Sequence, residues 1–208
     1  MSRFPSSVNV ERTRESKTRS AEIIWGCESG DSRRFPTTLD AVYGRKHSLD
    51  PAPMSAFREA VRQATDRIWV VDPYFLLPAE KQHPESRIER IIDWLHEELI
   101  ASDVRILTKA HAEINAAALQ RFQDRAKRIN ARQTRRGTEC SIRVCTRLTE
   151  KFDLIHDRFA IIDEELWHFG ATVGGFHNHV NAASRGWDAI SSGAIDFFDM
   201  AWSSCEGK

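Results

Sequence analysis

Apolar positions along the chain change their spacing several times between Met54 and Cys205. In "MSAFREAVRQAT", Phe57, Ala60, Val61 and Ala64 share one helical face. "RIWVVDPYFLL" is a nearly continuous apolar run interrupted at Pro73, the mark of a buried strand. "PESRIERIIDWLHEELIAS" opens on a helix-compatible proline and aligns Ile88, Ile91, Ile92, Leu95 and Leu99. "DVRILTK" returns to the strand pattern, and "AEINAAALQRFQDRAKRINARQTRRG" reads as a long helix stopped by Gly137. "CSIRVCTRL", "FAIID", Leu166–Phe169 and "WDAIS" read as strands, and "AIDFFDMAWSSC" as a closing helix. Strands alternating with helices predict an α/β sandwich without internal repeats.

The pattern fades before Met54. Residues 1–20 are polar and charged and read as disordered, "AEIIWGC" fits a short strand, and "ESGDSRRFPTTLDAVYGRKHSLDPAP" is loop-like. The expected organisation is an N-terminal segment, 1–53, partly disordered with one short strand, followed by a folded domain over 54–208.

A chain of 208 residues can bury a full core. Lys plus Arg and Asp plus Glu both total 30, so only local clustering bears on a polyanionic partner. One cluster stands out. Arg121, Arg125, Arg128 and Arg132 lie along one side of the long predicted helix, with Lys127, Arg135 and Arg136 nearby. That side fits either a solvated face of an amphipathic helix or a groove that tracks a phosphate backbone. The four cysteines show no CxxC spacing and read as reduced thiols. With neither a membrane-length apolar run nor an apolar signal core, the expectation is a cytoplasmic protein without membrane attachment.

The chemistry concentrates in "LIHDRFAIIDEELWHFGATVGG", Leu154 to Gly175. His156 and Arg158 stand two apart at the entrance of the apolar run Phe159–Ile162, so on an extended backbone they share a face. An arginine fork neutralises the non-bridging oxygens of a phosphate ester. The imidazole beside it can attack phosphorus or carry a proton near neutral pH. The same spacing also fits an ordinary polar pair at a strand entrance. Asp72 and Tyr74, at the end of an earlier strand, are placed to line such a site, and Tyr74 equally fits a packing role. His177 and His179 in "FHNHVN" lack a third ligand at metal-binding spacing and read as polar loop or phosphate contacts.

The segment resembles the HKD motif of the phospholipase D superfamily, H-x-K-x4-D-x6-G-S-x-N. His156, Arg158, Asp163 and Gly170 occupy matching places, while Arg158 replaces the lysine, Ala171 the serine and Val173 the asparagine. The likeness extends from Met54 to about Cys205 and takes in "IWVVDPYF" and "GWDAIS". The resemblance implies a phospholipase D-like mixed β-sheet between helices. It also implies phosphodiester hydrolysis or transfer through a phosphohistidine, with no metal and no cofactor. Two motifs meet in one active site in that family, so a single motif implies a homodimer with paired histidines. The expected catalytic residues are His156, Arg158 and, by resemblance of its strand, Asp188. Asp163, Gly170, Arg125, Arg128 and Arg132 are the expected substrate contacts. The expected function is a nuclease acting on a nucleic-acid backbone. Its rival is a catalytically degenerate module that binds nucleic acid or a protein partner in a larger assembly, as Ala171 and Val173 would fit.

Overall fold

The computed structural model describes residues 20–25, 35, 37–47, 52–77, 83–132, 138–175 and 181–206. Most of the segment read as disordered, 1–20, lies outside them, as do His177 and His179. The described helices and strands build an α/β sandwich around one mixed, seven-stranded sheet. Its strands are β1 (Glu22–Trp25), β2 (Arg67–Val71), β3 (Asp103–Leu107), β4 (Ser141–Cys145), β5 (Phe159–Ile162), β6 (Glu165–Phe169) and β7 (Ala182–Asp188), in the order β1-β7-β6-β5-β2-β3-β4. β2, β3 and β4 run parallel, and the remaining pairings are antiparallel.

Alternation along β2 explains the layers. Ile68 and Val70 enter a core shared with α2 (Ala52–Gln63), α3 (Pro84–Trp94) and α4 (Ala116–Asn130). Trp69 and Val71 point the other way, into a core capped by α5 (Leu148–Lys151) and α6 (Ala194–Glu206). There Trp69 stacks on Phe198 at 4.7 Å between ring centroids. Its indole N–H donates to Asp103 at 3.0 Å, so the ring is buried without leaving its polar atom unpaired.

Four local readings change. A helix, α1 (Leu39–His47), occupies part of the expected loop. The Thr38 hydroxyl oxygen accepts from the Ala41 N–H at 3.3 Å, while Leu39 and Tyr43 remain exposed, so α1 has no apolar stripe to betray it. α3 ends at Trp94, and Leu95 and Leu99 are buried from the following irregular segment. α5 was not anticipated, being a single turn too short to show a period. β7 lies earlier than "WDAIS", because the Asp188 carboxylate accepts the Ser191 N–H and turns the chain there.

The short strand expected near residue 24 is β1, which joins the sheet edge beside β7. Glu22 pairs with Arg185 at 2.7 Å and Ile24 reaches the core, so part of the N-terminal segment is integral to the sandwich.

Asp163 holds the opposite end of β5. Its φ of +54° makes the tight turn into β6. Its carboxylate accepts the N–H groups of Thr65, Asp66 and Arg67 at 2.7–3.1 Å, plus the Thr65 hydroxyl at 3.1 Å. This ties the β5–β6 turn to the start of β2. Asp163→Ala should therefore lower unfolding free energy by about 1–3 kcal/mol in urea denaturation. Asp163→Asn should lose less, since asparagine tolerates the left-handed backbone and keeps an acceptor. An unchanged midpoint for Asp163→Ala would contradict this role.

Candidate active site

The site forms where the parallel strands β2 and β3 end. The Asp72 N–H donates to the Leu107 carbonyl at 3.1 Å, and the Lys109 N–H to the Pro73 carbonyl at 3.3 Å. The Thr108 hydroxyl donates to the same Pro73 carbonyl at 3.2 Å. These bonds fix the two strand ends side by side. β5 runs antiparallel to β2 with Phe159 opposite Val71, so the residues preceding β5 arrive at the same edge.

Asp72 is the centre of this edge and is fully buried. Oδ1 accepts the Tyr74 N–H at 2.7 Å, and Oδ2 accepts the Val173 N–H at 2.8 Å. Arg158 Nε lies 3.9 Å from Oδ1. Burial raises the carboxyl to about 6, although the two backbone donors and the charges of Arg158 and Arg87 pull downwards. Arg87 is itself buried, and burial together with the nearby Arg90 charge lowers it to about 10 against the pull of Asp72.

Arg158 is fixed from several directions. The Phe169 N–H donates to its carbonyl at 3.0 Å, extending the β5–β6 ladder by one rung. Its guanidinium carbon stands 5.1 Å from the centroid of the Tyr74 ring, and Lys109 Nζ stands 3.8 Å from the same centroid. The guanidinium side chain keeps 26% of its surface exposed. His156 is exposed in the segment just ahead of β5. Between them, Asp157 accepts the Arg158 N–H at 3.0 Å and approaches His168 Nδ1 at 3.4 Å.

The loop after β6 closes the floor. Gly170 is exposed at the same end of the sheet, and its N–H donates to the Ala182 carbonyl at 3.0 Å. Ala171, Thr172 and Val173 are buried. Gly174 has φ +80°, and a Cβ there would come within 2.3 Å of the Trp94 ring. The Gly175 N–H closes a turn onto the Thr172 carbonyl at 3.0 Å. The glycine pair thus serves packing and a turn.

Other expected site residues fall elsewhere. In the sheet register Phe159 faces His168, whereas Ile162 faces Glu165, which in turn faces Asp188. Asp188 and Asp163 therefore sit at the end of the sheet opposite His156. Asp188 holds the Ser191 turn, whose backbone N–H keeps its carboxyl below the usual range. These placements correct the expected histidine-orienting role of Asp188 and the substrate contact of Asp163. Along α4, Arg125 faces Asp93 at 3.8 Å and Glu97 at 3.6 Å, and Arg132 pairs with Glu97. Arg121 pairs with Glu89 at 3.0 Å, while Arg128 is exposed. The arginine side thus meets an acidic side of α3 and its following segment. A helical wheel shows a face but not the element opposite it. Lys109 was not singled out in the sequence. Its signal was its position at the end of the "DVRILTK" run, beside the strand ending in Asp72.

The raised Asp72 carboxyl has a thermodynamic signature. Between its ordinary value of 3.8 and about 6, the folded chain retains a proton that the unfolded chain has lost. Asp72 therefore makes stability fall as pH rises through that window, and its contribution levels off above it. The unfolding free energy of wild type minus that of Asp72→Asn should drop by on the order of 2–3 kcal/mol across the window. Denaturant titrations at a series of pH values measure it. A difference independent of pH would contradict the placement of this carboxylate.

No family model matches the chain, and no curated protein matches it. Among solved structures, it is similar to TrmBL2, an archaeal chromatin protein, with a TM-score of 0.42 and 13% identity over 74% of this chain and 48% of that one. It is also similar to Nuc, a phospholipase D family member from Salmonella typhimurium, with a TM-score of 0.47 and 10% identity over 88% of this chain and 94% of that one. The phosphatidylserine synthase of Haemophilus influenzae Rd KW20 aligns with a TM-score of 0.43 and 16% identity, over 70% of this chain and 33% of that one. The chain thus spans about half the length of the chromatin protein and a third of the synthase.

Proposed function

We propose that this chain is a phospholipase D-like phosphodiesterase that cleaves a nucleic-acid backbone with His156 as nucleophile. The observation that carries this reading is the placement of Arg158. Its guanidinium is held beside a buried carboxylate at the strand-end edge, two residues from an exposed histidine. An imidazole nitrogen of His156 attacks phosphorus, forming an N–P bond as the P–O bond to the leaving group breaks. Arg158 meets the negative charge on the non-bridging oxygens. A second histidine protonates the departing oxygen, then deprotonates the water that hydrolyses the adduct. With one motif per chain, that second histidine is His156 of another copy. The residues assigned here include no metal ligand, so EDTA is part of the test.

A second reading has its own support. Ala171 and Val173, exposed by 6% and 0%, bring no polar side-chain atom to the phosphate side of the site. The site then binds a phosphate backbone, or a protein partner within an assembly, without turnover. Where the ligand is a nucleic-acid backbone it approaches the Arg158 edge, because Arg121 and Arg125 of α4 and Arg132 just beyond it face acidic partners.

The assay is cleavage of single- and double-stranded DNA and RNA, and of bis(p-nitrophenyl) phosphate, in EDTA. His156→Ala should reduce turnover by at least about 100-fold while nucleic-acid binding persists. Turnover at the wild-type rate would end the case for this nucleophile, and silence of both proteins with intact binding would select the second reading. Light scattering should give a dimer. A strict monomer that cleaves through His156 would contradict the paired-histidine mechanism.

A further inference from the structure

We infer that Lys109 is a second substrate-contacting cation, which with Arg158 holds the two non-bridging oxygens of a phosphodiester across Tyr74. The inference rests on the phosphodiesterase reading above and extends it to a residue outside the motif. Lys109 enters the site from β3, not from the segment that carries His156 and Arg158.

Its backbone is held on both sides. The N–H donates to the Pro73 carbonyl at 3.3 Å, and a bridge pairs the residue with Arg147. The ammonium rests 3.8 Å from the Tyr74 centroid, with the Arg158 guanidinium carbon 5.1 Å from the same point. Two cations gathered on one ring repel each other, and an aromatic quadrupole does not neutralise them. Two carboxylates lie nearby: Asp72 is fully buried and faces both Arg158 and the buried Arg87, and the exposed Asp157 accepts the Arg158 backbone N–H and approaches His168. Among the described residues, Lys109 makes no ion pair with a carboxylate.

Lys109 and Arg158 therefore present two partly exposed cations, the lysine without a carboxylate partner among the described residues, around a ring that is itself 37% exposed. A tetrahedral oxyanion with one oxygen for each tip is its chemical complement. Ala171 and Val173 supply no side-chain donor, which leaves this contact to the cations. The planar fork of Arg158 fixes orientation, and the ammonium of Lys109 acts as a mobile point charge.

Inorganic phosphate is the binding probe, titrated calorimetrically into wild type and into the Lys109→Ala, Lys109→Gln, Lys109→Arg, Arg158→Ala and His156→Ala variants. Bis(p-nitrophenyl) phosphate supplies KM and kcat. Lys109→Ala and Lys109→Gln should weaken phosphate binding about five- to tenfold and raise KM by a similar factor with kcat nearly unchanged. Lys109→Arg should restore most of both. Thermal melts identify which of the two neutral variants is folded. Wild-type phosphate affinity in a folded Lys109→Ala or Lys109→Gln, beside weakened Arg158→Ala, would overturn the role of Lys109 and leave the proposed function standing. Loss of turnover in His156→Ala without any phosphate binding by wild type would likewise overturn the two-cation contact alone. Phosphate binding that depends on Lys109, without turnover in any protein, would uphold the contact and remove the hydrolytic reading.

Discussion

The carboxylate of Asp72 joins three segments that are distant along the chain. It accepts the N–H of Tyr74 just after β2 and that of Val173 just after β6, and it faces Arg158 ahead of β5. Burying an ionised carboxylate is costly unless donors and charges surround it. Here the two backbone donors and two arginines meet much of that cost, yet the carboxyl still rises to about 6. Removing the side chain would orphan buried N–H groups and leave Arg158 without its anchor. The Tyr74 ring, the loop through Val173 and the aim of the guanidinium therefore depend on one side chain.

Sheet topology decides what Asp72 can gather. Parallel β2 and β3 bring Asp72 and Lys109 to one edge. Antiparallel β5 adds His156 and Arg158 to that edge, because its first residue faces the last residue of β2. The same antiparallel geometry sends the other ends of β5 and β7 away. Asp163 and Asp188 become turn-holding residues, each satisfied by nearby N–H groups. The carboxylate beside Arg158 and the turn-holding carboxylates are thus separated by strand direction, not by residue type.

Much of this was legible in the sequence where the local period was strong. The runs at Arg67–Val71 and Asp103–Leu107, and the helices on Phe57 and Phe122, announced the sandwich. Asp72 and Tyr74 do stand just past the end of β2, beside Arg158. α1 was hidden because an exposed helix needs no apolar stripe, and α5 because one turn has no period. The roles of Asp163, Asp188 and Lys109 were hidden for a different reason. They depend on which strand ends adjoin in space, and linear spacing carries no such information. The arginine line of α4 was visible, but its acidic counterpart on α3 emerges only when the two helices pack.

Covalent capture on His156 tests the central claim most directly. Intact-protein mass spectrometry of a rapidly quenched reaction, with a short oligonucleotide or bis(p-nitrophenyl) phosphate, reads the adduct mass and its position. The account predicts one substrate-derived phosphoryl group on the His156 imidazole, stable in alkali, lost in acid and absent from His156→Ala. Rapid turnover with no adduct on His156 in a quench that captures the reaction's other intermediates, or an adduct on a different residue, would contradict it.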